Sequence, residues 1–81
     1  VLVPFDLALV ANDAVSLARL DPRAREHPIR LALEAPLPVK GDPDALKEAL
    51  LNLLFNALAA VAGGGAVDVR GGRDEETVWL E

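Results

Sequence analysis

The chain has 81 residues, enough for one domain around a single small core and too few for two. Hydrophobic residues make up 52% of it, which excludes intrinsic disorder, yet asparagines break its longest apolar run and its opening Val-Leu-Val-Pro-Phe-Asp lacks the basic flank and long apolar core of a signal peptide. Eight basic against thirteen acidic residues leave a net charge of −5 with the arginines scattered, which argues against nucleic acid as a partner, and the absence of cysteine excludes disulfides and thiolate metal sites and fits a cytoplasmic location.

Residues 1–5 read as a short strand, with Pro4 marking an edge position. Asp6 is placed to cap a helix over 7–20, in which Leu7, Val10, Ala11, Ala14, Leu17 and Ala18 form the apolar stripe and Asn12, Asp13, Ser16 and Arg19 lie opposite. Asp21-Pro22 ends that helix, since the residue before proline is pushed out of helical geometry. A polar turn over 23–28 follows, with His27 on its surface. Ile29, Leu31 and Leu33 then alternate with Arg30, Ala32 and Glu34, the two-residue period of a half-buried strand, which Pro36 and Pro38 stop.

Gly41-Asp42-Pro43-Asp44 starts a second helix, with Asp42 as cap, Pro43 in the first turn and Asp44 near the positive helix end. It runs from 43 to about 61, where Gly63, Gly64 and Gly65 terminate it. Val67 and Val69 alternate with polar residues, 71–76 read as a turn, and 77–81 with Val78 and Leu80 on one side complete a hairpin. The order is strand, helix, strand, helix, strand, strand. That order predicts an α+β fold, a two-layer sandwich with both helices on one face of a mixed sheet.

The second helix carries an anomaly. Asparagine is a poor helix former, because its amide competes for backbone groups, yet Asn52 and Asn56 sit four apart in the apolar run Leu-Leu-Asn-Leu-Leu-Phe-Asn-Ala-Leu-Ala-Ala. Positions four apart lie nearly above one another, so Glu48, Asn52 and Asn56 make one polar line. Either the amides bond each other, loop backbone or water, or the line faces a cleft that holds a cation or phosphates. Amide oxygens suit hard cations such as magnesium.

The run Asp-Pro-Asp-Ala-Leu-Lys-Glu-Ala-Leu-Leu-Asn-Leu-Leu-Phe-Asn-Ala-Leu-Ala-Ala-Val closely resembles the N-box of sensor histidine kinases, members of the Bergerat-fold ATPases. Phe5-Asp6 with the helix after it, the approach from Arg30 into Gly41-Asp42-Pro43, and the strand after the glycines resemble the same family, so the likeness covers essentially all 81 residues. It implies the N-terminal portion of a kinase ATP-binding domain, a partial Bergerat fold with the N-box helix at about 43–61. By position, the resemblance assigns Asn56 as ligand of the nucleotide-bound Mg2+ and Asn52 to the phosphate side of the ATP pocket. Gyrase and MutL relatives carry a glutamate where Asn52 stands. An amide cannot act as general base at neutral pH, so the difference points to phosphoryl transfer onto a histidine instead of ATP hydrolysis. Lys47 lies near this face and reads as a solvated lysine.

The family's glycine boxes and lid have no counterpart here. The glycine triplet at 63–65 lacks their aspartate, and His27, between a turn and a proline, does not resemble the phosphoacceptor. The partners implied are ATP, the histidine-bearing dimerisation domain of the same protein and a response regulator, with a parent that other segments would anchor in a membrane. The fragment by itself is expected to be inactive and to self-associate through strand edges and apolar surface around Val78 and Leu80. A degenerate kinase-like scaffold without catalysis is the alternative, and the presence of both asparagines argues against it.

Overall fold

Asp6 ends one strand and begins a helix, and the first half of the fold is organised around its carboxylate. In the computed structural model, which describes residues 2–61, 65–73 and 78–80, β1 spans Val3–Asp6 and α1 spans Leu7–Ala18. Asp6 Oδ1 accepts from the Ala8 N–H at 2.9 Å, satisfying a free donor of the first helical turn as expected. The same oxygen accepts from the Leu37 N–H at 2.8 Å, and the Leu37 carbonyl accepts from the Leu7 N–H at 2.8 Å. Leu37 is thereby drawn into a wholly buried position against Leu7 and Ala8.

This latch supports a strand that the sequence does not announce. β3, Pro38–Gly41, pairs antiparallel with β1, Asp6 standing opposite Pro38 and Val3 opposite Gly41. Pro36 and Pro38 read as stops, but a proline without a donor is tolerated at the first position of an edge strand. Both strands of this two-stranded sheet are edges, as Pro4 indicates. The Phe5 ring packs over Gly41, 3.6 Å from where a side chain there would begin.

The second sheet has the order β2-β4-β5. β2, Ile29–Leu33, and β4, Val67–Arg73, run parallel with Leu31 opposite Val69, and β5, Val78–Leu80, is antiparallel to β4. The architecture is thus the predicted α+β sandwich with a mixed sheet, and a separate pair of strands is added beside it. Gly71, Gly72 and Arg73, read from sequence as turn, belong to β4 and pair with Leu80, Trp79 and Val78. The rest of that turn at 74–76, the first residue of the expected strand at 77, and the helix stop at Gly63 and Gly64 fall outside the described residues.

Between α1 and β2 the chain makes a 3-10 turn, Pro22–Arg25, capped by Asp21, whose side chain accepts from the Arg23 N–H. The Arg23 guanidinium also bonds both Asp21 oxygens, and this pairing, with the backbone bond, lowers the carboxyl from 3.8 to about 2. Arg19 donates to the Ile29 carbonyl at 2.7 Å and holds the end of α1 to β2. His27 is half-buried, not free on the surface. Its Nδ1 lies 2.9 Å from the Gly65 carbonyl, and since a carbonyl only accepts, Nδ1 carries the hydrogen there.

α2, Pro43–Ala60, packs along α1 with its N-terminus capped by Asp42, whose Oδ1 accepts from the Asp44 and Ala45 N–H groups at 3.1 Å each. The main core joins Ala14, Val15 and Ala18 of α1 to Leu54 and Leu58 of α2 and to Ile29, Val67 and Val69 of the sheet. One expectation for α1 fails: Leu17 is 44% exposed, while Ala8 and Val15, absent from the predicted stripe, are buried. The buried stripe is rotated toward Ala8, which packs with Leu7 and Leu37, and Val15, which joins the core with Leu54, Leu58 and the sheet, and Leu17 is turned outward.

Asp6→Ala should lower unfolding free energy by about 1–3 kcal/mol in urea titrations, with Asp6→Asn, which keeps an acceptor oxygen, losing less. Leu58→Ala should cost about 2–5 kcal/mol through the lost contacts and the cavity left in the core. Asp21 has a folded pKa below its ordinary value, so its stabilising contribution is present above pH 3.8 and lost as pH falls through about 2. The stabilities of wild type and Asp21→Asn should therefore converge in acid; a gap that persists below pH 2 would contradict this.

Candidate functional site

Packing decides which face of α2 is outward. Leu54 and Leu58 are buried, and Leu50, Leu51 and Ala57 are half-buried against α1 and the sheet. With about 100° between successive residues, the opposite side falls at Asn52 and Asn56, and both are exposed. Glu48, one turn earlier, is exposed on the same line. The structure therefore brings these three predicted residues together on one surface.

Asn12 shows what a helix asparagine ordinarily does. Its Nδ2 donates to the Ala8 carbonyl four residues back at 3.0 Å. Asn52 and Asn56 do not follow it, and no other described residue supplies either amide with a hydrogen-bond partner. Of the readings open from sequence, pairing of the amides with each other or with loop backbone is absent among the described residues, which leaves water or a cleft as what they face. Two outward amides, on residues about 6 Å apart along the helix axis, are open to something outside the helix.

Lys47 is half-buried and about 140° round the helix from Asn52, so it does not join the line. His27 sits by Gly65 instead. Sequence reasoning missed the flanks: Leu53 is 64% exposed and Phe55 37%, leaving apolar side chains on either side of the amides. Hydropathy cannot find them, because a leucine or phenylalanine on an apolar helix reads as core. Small exposed alanines at 45, 49, 59 and 60 leave the rest of this face open.

No cluster of three or more His, Asp or Glu that could hold a metal ion occurs among the described residues. Asn52 and Asn56 form a different kind of donor set, two neutral oxygens on an open surface. With this spacing each oxygen can serve as a single protein ligand to a hard cation that brings its own ligands, as magnesium does when it retains waters and binds substrate phosphates. Two apolar grooves also occur: one of about 210 Å³ between α1, α2 and β4, and one of about 440 Å³ beside Phe5, Val39 and Leu46. Neither is lined by Asn52 or Asn56. No helix among the described residues is long and apolar enough to cross a membrane.

Comparison with known proteins gives this arrangement its context. A solved catalytic domain of the histidine kinase ThkA has the same fold, with a TM-score of 0.79 at 20% sequence identity over 99% of this chain and 56% of that one. The chain is 35% identical over 65 residues to the sensor histidine kinase ZraS of Escherichia coli K12, and equally to ZraS of E. coli O157:H7. These matches cover 79% of this chain and 14% of each relative's length. No protein-family model matches. The chain thus shares the fold of part of the ThkA catalytic domain and is similar in sequence to a stretch of a sensor histidine kinase, spanning about a seventh of that relative's length.

Exposed, unpartnered amides contribute nothing to the packing of α2, and alanine is the better helix former. Asn52→Ala, Asn56→Ala and the double variant should therefore unfold at the wild-type urea midpoint or be stabilised by about 0.5 kcal/mol per site. A loss above about 1 kcal/mol would show that the amides serve the fold.

Proposed function

We propose that the outer face of α2 is one wall of a Mg-ATP site, and that the protein carrying this domain is a two-component sensor kinase that passes the γ-phosphoryl group of ATP to a protein histidine. The observation that carries this reading is the pair of outward amides at Asn52 and Asn56 on a helix whose other side is packed away. The resemblance of their run to the N-box and the relationship to sensor histidine kinases support it.

In this reading Asn56 Oδ1 is the protein's ligand to Mg2+, which when bound neutralises phosphate charge. Asn52, one turn earlier, lies on the phosphate side, where its NH2 can donate to phosphate oxygen. Neither amide can take a proton from water at neutral pH, so this wall positions a phosphoryl group without activating water against it. That property suits transfer to a histidine supplied by a dimerisation domain, where orientation and charge neutralisation carry most of the catalysis. A response regulator is the onward acceptor, and the cytoplasm is where ATP and such a partner are met.

The chain supplies one wall of this site, so the 81 residues alone should bind Mg-ATP more weakly than micromolar and be inactive. Micromolar affinity in a titration would contradict that half-site. In a whole kinase carrying this domain, Asn56→Ala should reduce Mg-dependent autophosphorylation on the order of 100-fold with the fold intact by circular dichroism, and unchanged activity would remove Asn56 from the site. The edge strands β2 and β5 and exposed leucines at 2, 9, 17 and 20 also support self-association of the isolated chain. Light scattering should show mass rising with concentration; a constant monomer mass would count against it.

A further inference from the structure

The free side of β2 is fixed by the bonds on its other side. The Pro28 carbonyl accepts from the Val67 N–H at 3.0 Å, and the Glu34 N–H donates to the Gly71 carbonyl at 3.1 Å, so the even-numbered residues from 28 to 34 turn their backbone groups toward β4. Successive residues of a strand address opposite neighbours. Ile29, Leu31 and Leu33 therefore aim N–H and C=O at the open edge. At one end Arg19 already occupies this edge, its guanidinium donating to the Ile29 carbonyl at 2.7 Å. Leu31 and Leu33 have no backbone partner there among the described residues, which leaves a short template for another strand.

We propose that this template receives the same edge of a second copy of the chain, antiparallel, about a two-fold axis through Ala32. The contact is separate from the outer face of α2 and does not depend on what that face binds. In this register Leu31 stands opposite Leu33 of the second copy, and Leu33 opposite its Leu31. Each of these pairs exchanges two hydrogen bonds through groups that point at the open edge. On the polar face of the sheet, Arg30 stands opposite Glu34 of the second copy and Glu34 opposite its Arg30, two pairs of opposite charge. Both side chains are exposed and have capacity left. Arg30 uses Nε and Nη2 on Asp68, at 2.7 and 3.2 Å, and keeps Nη1, while Glu34 accepts the Arg73 N–H on Oε2 and keeps Oε1. Ala32, exposed between them, meets its own copy without bulk. Other registers lose this match. A slide toward Ile29 sets Arg30 against Ala32 or against another Arg30 and needs the carbonyl that Arg19 holds. A slide the other way sets Arg30 against Pro36 and Glu34 against Ala32.

Charge reversal tests the register. By sedimentation equilibrium, Arg30→Glu and Glu34→Arg should each weaken self-association on the order of ten-fold, because two attractive pairs become repulsive. An equimolar mixture of the two variants should restore it, since two acidic positions of one chain then face two basic positions of the other. Circular dichroism checks that these replacements at exposed sites leave the fold intact. In wild type, the Leu31 and Leu33 amide protons should exchange with solvent several-fold more slowly as concentration rises, while those of Arg30 and Ala32, which face β4, should not change. Ala32→Cys gives an independent readout in a chain that has no cysteine. Residues paired across such an axis lie about 4.5 Å apart at Cα, within disulfide reach, so this variant should cross-link to a dimer on mild oxidation. Asp68→Cys, one strand further from the axis, should not. A monomer mass at all concentrations would overturn the proposal, as would a mixture that associates no better than either variant alone. Association that ignores both reversals and leaves the Leu31 and Leu33 amides unprotected would place the contact at β5 or the exposed leucines, and overturns it as well.

Discussion

The seam between α1 and α2 governs what the rest of the molecule can present. α1 offers Ala8, Ala11, Ala14 and Ala18 along its buried side, with Val15 between them, and small side chains let a second helix lie close. Into this seam α2 places Leu54 and Leu58, with Ala57 beside them. Once these are committed, helical geometry leaves no freedom for the others: Asn52 and Asn56 must point away. The polar line is outward because of alanines forty residues earlier, not because of any contact of its own.

A second constraint joins the ends of the fold. Asp6 serves three neighbours with one oxygen and the backbone around it, capping α1, fixing Leu37 and bringing β3 alongside β1. Because β3 leads directly through Gly41 into the Asp42 cap, the position where α2 starts is set by the same group of bonds. At the other end, His27 and Pro28 hold the segment before β4, with the Val67 N–H donating to the Pro28 carbonyl at 3.0 Å. The start of α2 is thereby placed by hydrogen bonds of ordinary length, while its middle is placed by apolar packing.

Much of this was legible. Both helix starts rest on local chemistry, an aspartate whose carboxylate reaches a backbone N–H two or three residues on, and both appear where sequence puts them. β2 and the hairpin follow from alternation that a half-buried sheet requires. β3 was not legible, because two prolines and four residues carry no period, and the strand exists only through its pairing with β1. The exposure of Leu17, Leu53 and Phe55 was hidden for a related reason. Hydropathy records what a side chain prefers, and only the neighbouring element records whether it is covered.

Local chemistry accounts for the two caps, the periodicities and the spacing of the asparagines, and 65 residues of the chain are similar to a sensor histidine kinase. Tertiary structure decided direction. The helical period says that Asn52 and Asn56 share a face, but which face is free depends on where α1 lies, and that contact spans residues too distant in sequence for any local pattern to encode.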